Sequence, residues 1–256
     1  MHTELTFGTW SLFGQGTFVD LIAATTNALN GALLARRPDH YRNYTFVGII
    51  LMAIIGGIAG GVIRDVILGH APSAFMNPAY ITFCLIAGVV GYFLAYARGQ
   101  LFREGAFQFM TSFSLPWYAI IGAQKAIEAG YPILGALAMA VIAPTAGRYL
   151  IDVTSGVTPK QFVRGEWFVA TAIGTGLIWI LLDEAGVEYW ISVAIAFLVG
   201  FAFRVLALYL GWEEPLAREP KGLKIHSDRR PLLGRKLAGK SQEELRILGL
   251  DVDDAS

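Results

Sequence analysis

The sequence predicts an all-α membrane protein with seven transmembrane helices, built as two inverted three-helix repeats followed by a seventh helix. Three observations lead there: seven long apolar runs, Lys and Arg confined to alternate connections between them, and a glycine-rich motif that recurs. Composition sets the class. Of 256 residues 55% are apolar and 16% charged, against roughly 45–50% and 25% in soluble domains. Mean hydropathy is +0.52. A formal net charge of zero provides no global field for nucleic acid. Cys84 is the only cysteine, which excludes an intramolecular disulfide and a Cys-based metal site.

Residues 1–16 carry no Lys or Arg ahead of their apolar residues, so they read as an extracytoplasmic segment rather than a cleaved secretory signal. A span needs about 20 predominantly apolar residues. Seven stretches qualify: 17–35, 44–68, 76–97, 108–128, 131–153, 165–183 and 189–211. The first is the most polar, with Asp20, Thr25, Thr26, Asn27 and Asn30 on it; they form a polar face suited to water or to a helix interface.

The basic residues decide orientation. Arg36, Arg37 and Arg42 follow span one, Arg98 and Arg103 follow span three, and Lys160 and Arg164 follow span five. The alternate connections near 69–75, 128–131 and 183–189 contain neither Lys nor Arg. Positive charge is retained on the cytoplasmic side, so the N-terminus is expected outside and the C-terminus in the cytoplasm. The same alternation requires span one to cross. Tyr41, Tyr44, Trp167 and Trp212 fall at predicted cytoplasmic ends and Trp190 at an outer end, where amphipathic rings prefer to sit. The resulting organisation is a first three-helix repeat over 17–98, a second over 108–186, a seventh helix over 187–212 and a basic cytoplasmic tail over 213–256. Between Arg218 and Lys240 the tail holds eight basic residues and two acids. Such a segment is attracted to anionic lipid, and it is expected to be largely flexible apart from a short helix started by a capping box at Ser241–Glu244.

The motif on which the chain is organised is Gly56-Gly57-Ile58-Ala59-Gly60-Gly61-Val62-Ile63-Arg64-Asp65, with Gly69 and Pro72 after it. Gly147, Asp152, Gly156 and Pro159 repeat the spacing of Gly60, Asp65, Gly69 and Pro72. A three-span unit duplicated in one chain is inverted in the membrane, and such repeats place a site near the midplane on broken helices. The glycines have two readings. Gly56/Gly60 and Gly57/Gly61 are spaced i, i+4, a helix-packing pattern; alternatively the helix opens there and frees carbonyl oxygens for a cation. Pro144, beside Thr145 and Gly147, removes a hydrogen bond at the matching depth of span five.

Arg64 and Asp65 lie in apolar sequence, where ionisable groups are costly and usually functional. Adjacent positions point about 100° apart on a helix, so each is expected to find a partner elsewhere rather than in the other. Arg148 and Asp152 are four apart and are expected to pair along span five. Clamping of two bent helices is an equal reading for these groups. Lys125, about a turn from the outer end of span four, either snorkels to the interface or faces a pore as a gate. Arg204 in span seven is expected to reach cytoplasmic headgroups. No dinucleotide fingerprint, P-loop, HExxH or paired Cys/His spacing is present, so no enzyme and no cofactor are expected.

At Gly60-Gly61-Val62-Ile63-Arg64-Asp65 followed by Leu68-Gly69, the sequence resembles the prokaryotic relatives of the trimeric intracellular cation (TRIC) channels. The resemblance extends over nearly all of 17–211. It includes Asn30-Gly31-Ala32-Leu33, Ile120-Ile121-Gly122-Ala123-Gln124 and Phe203-Arg204-Val205-Leu206-Ala207. It implies a seven-helix protomer, a homotrimer, and a pore within each protomer between kinked helices two and five. The implied activity is permeation of monovalent cations, chiefly potassium, in the bacterial inner membrane. Carried over by position, Gly60, Gly61, Arg64 and Asp65 match the first motif and Gly147 and Asp152 part of the second. There Arg148 replaces the second glycine and Ile151 stands where the arginine is expected, so Arg148 substitutes only if it acts from one turn away. Some prokaryotic members are linked to uptake of small amino acids, which leaves a secondary transporter of glycine as the alternative to a channel. A scaffold with a lipid-binding tail is the third reading.

Overall fold

A computed structural model of the protein describes residues 6–7, 10–11, 15–36, 44–97, 100–156, 159, 161 and 167–212. Arg37, Tyr41, Arg42, Arg98, Lys160, Arg164, the side chain of Arg103 and the 213–256 tail with its capping box lie outside the described residues. Of the 1–16 segment the described part is a small antiparallel pair, β1 (Thr6–Phe7) and β2 (Trp10–Ser11), and the start of the first helix.

Among the described residues eight helices follow: α1 (Gln15–Ala35), α2 (Phe46–Ile67), the single turn α3 (Ser73–Met76), α4 (Pro78–Ala97), α5 (Gln100–Glu128), α6 (Ile133–Thr154), α7 (Phe168–Glu184) and α8 (Tyr189–Tyr209). Four are long and apolar enough to cross a membrane, over Thr17–Ala35, Phe46–Ile67, Ile133–Thr154 and Tyr189–Tyr209, and Pro78–Leu94 is a shorter apolar stretch. The largest boundary difference is α5, which begins at Gln100 rather than near 108. No proline interrupts Gln100–Leu115, so the helix extends through the connection that the apolar pattern predicts.

Local signals set the ends of the two motif helices. Thr45 caps α2, its hydroxyl accepting from the Gly48 amide at 3.1 Å. Gly69 and Gly156, equivalent in the sequence echo, have φ of +78° and +66° and end α2 and α6. The His70 amide then donates to the Asp65 carbonyl at 2.8 Å, closing the last turn of α2.

α1 is packed by α2, α4 and α5. Its polar face therefore meets protein: Asn27 Nδ2 donates to the Gly56 carbonyl at 2.6 Å and Asn30 Nδ2 to Thr111 Oγ1 at 2.9 Å. The Thr25 and Thr26 hydroxyls donate to the Leu21 and Ile22 carbonyls four residues back, each at 2.7 Å. α8 packs on α5 and α7, with Trp117 stacked on Phe197 at 4.3 Å and Phe197 on Phe201 at 5.7 Å. Long runs of exposed apolar side chains remain outside, among them Leu51, Val66, Phe93, Leu134 and Leu198.

α2 and α6 lie antiparallel and touch through backbone. A Cβ on Gly60 would collide with the Ala143 carbonyl oxygen, and one on Gly147 would come within 3.2 Å of the Gly60 nitrogen and 3.4 Å of the Gly56 oxygen. Gly31 faces the Met52 carbonyl in one half of the chain as Gly122 faces the Met139 carbonyl in the other. Both motif helices are continuous, α2 through all four glycines and α6 through Pro144. Of the two readings of the glycines, helix packing is the one these contacts carry: neighbouring backbone fills the space beside Gly56, Gly60 and Gly147.

The four glycines are thus not equivalent. Gly60→Ala should destabilise by about 1–3 kcal/mol through overpacking. A Cβ on Gly61 meets only Arg64 Nη2, at 3.6 Å, so Gly61→Ala should hold or raise stability, by up to about 1 kcal/mol from helix propensity. Thermal unfolding of the purified protein in detergent distinguishes the two variants.

Candidate functional site

Near the end of α2 the Arg64 guanidinium is wholly buried and forms a two-pronged pair with Asp20 of α1, Nη1 to Oδ1 at 2.9 Å and Nη2 to Oδ2 at 2.8 Å. Its Nε donates to Asp65 Oδ1 at 2.8 Å. Arginine's five donors in a rigid fork suit it to bridge two carboxylates. Asp65 Oδ2 accepts from the Ser73 amide at 2.8 Å, which ties α3 to α2. The Tyr80 hydroxyl of α4 donates to Asp20 Oδ2 at 3.0 Å.

Lys125 of α5 completes the cluster. Its Nζ lies 3.1 Å from Asp20 Oδ2, 3.2 Å from Asp65 Oδ1 and 2.8 Å from Ser73 Oγ. Two carboxylates and two cations therefore balance, contributed by α1, α2 and α5. Lys125 is 19% exposed while Asp20 and Asp65 are nearly fully buried, so the ammonium stands on the outward side of the carboxylate pair. Beside it is a cavity with room for about one water molecule. Its lining includes Asp20, Gly57, Gly61, Arg64, Asp65 and Tyr80. The Tyr118 hydroxyl donates to the Gly57 carbonyl at the same level.

A second cluster occupies the opposite end of the α2–α6 pair. Arg148 Nε donates to Asp152 Oδ1 at 2.9 Å, the expected i, i+4 pair, and Nη1 to Thr111 Oγ1 at 3.2 Å. The guanidinium also lies 4.9 Å over the Phe107 ring. This is a reduced copy of the first cluster: one arginine joins the aspartate on its own helix to a polar side chain on the first helix of its half. Thr111 stands where Asp20 does, so this copy lacks the second carboxylate. Arg148, one turn earlier than Arg64 in the motif, makes the equivalent contacts.

The structure brings Arg64, Asp65 and Lys125 together at one end and Arg148 and Asp152 at the other, with Gly56, Gly60 and Gly147 at the helix contact between them. Gly57 faces Cys84 Sγ and the Ala24 carbonyl, and Pro144 is buried. Two expectations are corrected. Arg64 and Asp65 do bond to one another, because a long guanidinium curls back to its neighbour while still holding Asp20. Lys125 is held by buried carboxylates at 3.1–3.2 Å, a pairing that neither sequence reading of it included. Arg204 is fully buried rather than aimed at headgroups, its guanidinium 5.8 Å from the Phe168 ring.

Asp20, Ser73, Tyr80, Tyr118 and Thr111 were missing from the sequence-derived site. Asp20 carried a usable signal, an acid within an apolar span. The hydroxyl residues carried none, since Ser, Thr and Tyr occur throughout membrane helices and only their contacts mark them.

Comparison with known proteins agrees with this architecture. A family model described as Glycine transporter matches twice, over residues 17–96 and 108–184. A membrane protein (UPF0126) of Deinococcus radiodurans is 28% identical over 168 residues, covering 64% of this chain and 75% of its own. The membrane protein YvgT (UPF0126) of Bacillus subtilis is 22% identical over 201 residues, covering 77% and 94%. Among solved structures, a TRIC trimeric intracellular cation channel orthologue from Rhodobacter sphaeroides superposes with a TM-score of 0.70 at 26% identity, covering 77% of this chain and 98% of that one. A prokaryotic TRIC channel crystallised in 0.5 M KCl gives a TM-score of 0.70 at 19% identity over 77% and 97%. The chain is an integral membrane protein that belongs to the glycine transporter family and is a prokaryotic relative of the TRIC channels, whose fold it shares.

Proposed function

We propose that the protein is a cation channel of the bacterial inner membrane that passes potassium and other monovalent cations. In this reading it is a homotrimer with a pore in each protomer between α2 and α6. The protomer crosses the membrane seven times, through α1, α2, α4, α5, α6, α7 and α8, with the N-terminus outside and the C-terminus in the cytoplasm. Two inverted repeats are supported by the double match of one family model and by the antiparallel contact of α2 with α6. The basic tail meets anionic lipid, and no nucleic acid, cofactor or enzymatic step is involved.

The observation that carries the reading is the buried carboxylate pair held by Lys125. A lysine ammonium is a compact cation on a flexible stem, and here it sits where Asp20, Asp65 and Ser73 supply oxygen ligands. It is a tethered cation on a path that a free one would follow, and its departure would leave a net negative site for an incoming ion. The channels of known structure with this fold support the same conclusion.

The family description favours a second reading, a secondary transporter of a small zwitterion such as glycine. Paired carboxylates with Arg64 and Lys125 offer both charges that a zwitterion requires. A reversal potential measured across a KCl gradient in a planar bilayer separates the two. A value near the potassium equilibrium potential supports the channel; silence with folded protein, together with glycine uptake into proteoliposomes, supports the transporter. Deleting 217–256 should leave conduction intact, whereas a scaffold would lose its role.

Two variants probe the cluster. Lys125→Ala should raise cation flux in a proteoliposome assay, and unchanged flux would remove Lys125 as a gate. Asp65→Asn leaves Arg64 and Lys125 short of a partner, so stability should fall by about 3–5 kcal/mol and conductance with it. Unfolding and single-channel recordings of the same preparation check both.

A further inference from the structure

Two tyrosines outside the charge clusters occupy equivalent places in the two halves. Tyr44 stands two residues before α2, and Tyr131 two residues before α6. The Tyr131 hydroxyl donates to the carbonyl of Ile67, the last residue of α2, at 3.3 Å. The Tyr44 hydroxyl lies 3.5 Å from the carbonyl of Thr154, the last residue of α6, and 3.2 Å from Ser155 Oγ. Adding 87 to 44 and to 67 yields 131 and 154, the same offset that relates Gly60 to Gly147. The two contacts are therefore images of one another about the Gly60–Gly147 crossing.

The chemistry explains why a tyrosine suits the position. The last carbonyls of a helix have no amide donor within the helix, and they form the negative end of its dipole. A hydroxyl carried by the opposite helix supplies the donor and links the start of one helix to the end of the other. Both contacts are longer than the 2.7–2.8 Å usual for hydroxyl donors, and both are at the margin of the protein, where Tyr131 is 38% exposed. The glycine crossing between them is tight and made of backbone. A pair fixed in its middle and held weakly at each end is able to part at either end separately.

We infer that Tyr44 and Tyr131 are a matched pair of positioning residues, each holding one end of the α2–α6 pair closed and released independently of the other. The straps follow from contacts alone; only their consequence for conduction rests on the pore proposed above. Each strap controls the mouth at its own end, so loss of one hydroxyl opens that mouth and leaves the other held.

Distances between spin labels on the full-length protein in lipid nanodiscs test this. Labels at Val66→Cys with Leu134→Cys report the Tyr131 end, and labels at Val47→Cys with Val153→Cys report the Tyr44 end. All four positions are exposed, and Cys84 is fully buried from the label. Tyr131→Phe should lengthen and broaden only the 66/134 distance, and Tyr44→Phe only the 47/153 distance. Ser155→Ala, which removes the nearer acceptor, should reproduce the Tyr44→Phe pattern. The open fraction should rise about two- to tenfold at the affected end, as loss of one hydrogen bond implies. Unchanged distributions in all three variants, or lengthening of both pairs by either tyrosine variant, would overturn the inference. End-selective opening with unchanged potassium flux supports the straps and counts against the pore between α2 and α6.

Discussion

The structure depends on one buried guanidinium. Arg64 is fully enclosed, in a segment where an uncompensated charge would be very costly. Its position is tenable only because Asp20 and Asp65 are brought within 3 Å of it. That requirement fixes α1 beside α2. Each carboxylate oxygen has more than one lone pair to satisfy, and Tyr80, Lys125 and the Ser73 amide supply the further donors. One charge thus draws α3, α4 and α5 to the same end of the bundle. The arrangement is also why the site is balanced rather than negative, with a lysine standing where a mobile cation would otherwise be attracted.

The glycines serve a different purpose from the one their number suggests. With Gly60 and Gly147 opposed, the backbones of α2 and α6 approach more closely than any side chain would permit. In a membrane there is little hydrophobic force between helices, so close packing of small residues is a main source of association. Asn27 and Tyr118 donate to the Gly56 and Gly57 carbonyls beside this contact. Extra donors reach carbonyls of an unbroken helix because glycine leaves them accessible.

The two halves share a plan but not a charge count. Arg148 joins Asp152 to Thr111 as Arg64 joins Asp65 to Asp20, yet the second cluster has one carboxylate where the first has two. The first cluster also recruits a lysine from the other half of the chain. The arginine clamp is thus alike in the two clusters, while the pair of carboxylates occurs at one end only among the described residues.

The sequence by itself determined the all-helical membrane class, the approximate positions of the long helices and the two charged motifs. These are one-dimensional properties: apolar length, basic residues in alternate connections, and glycine, arginine and aspartate at a repeated spacing. Tertiary structure decided the rest. That Arg64 bonds both its neighbour and Asp20, that Lys125 is held rather than free, and that Arg204 turns inward all depend on which helices meet. So does the difference between Gly60, pressed on a carbonyl, and Gly61, open toward a cavity. Adjacent glycines have the same intrinsic preferences, but helix rotation aims one at a backbone and the other at a void. Charge, apolar length and spacing are written along the chain; which partner each group finds is set only when several helices close around it.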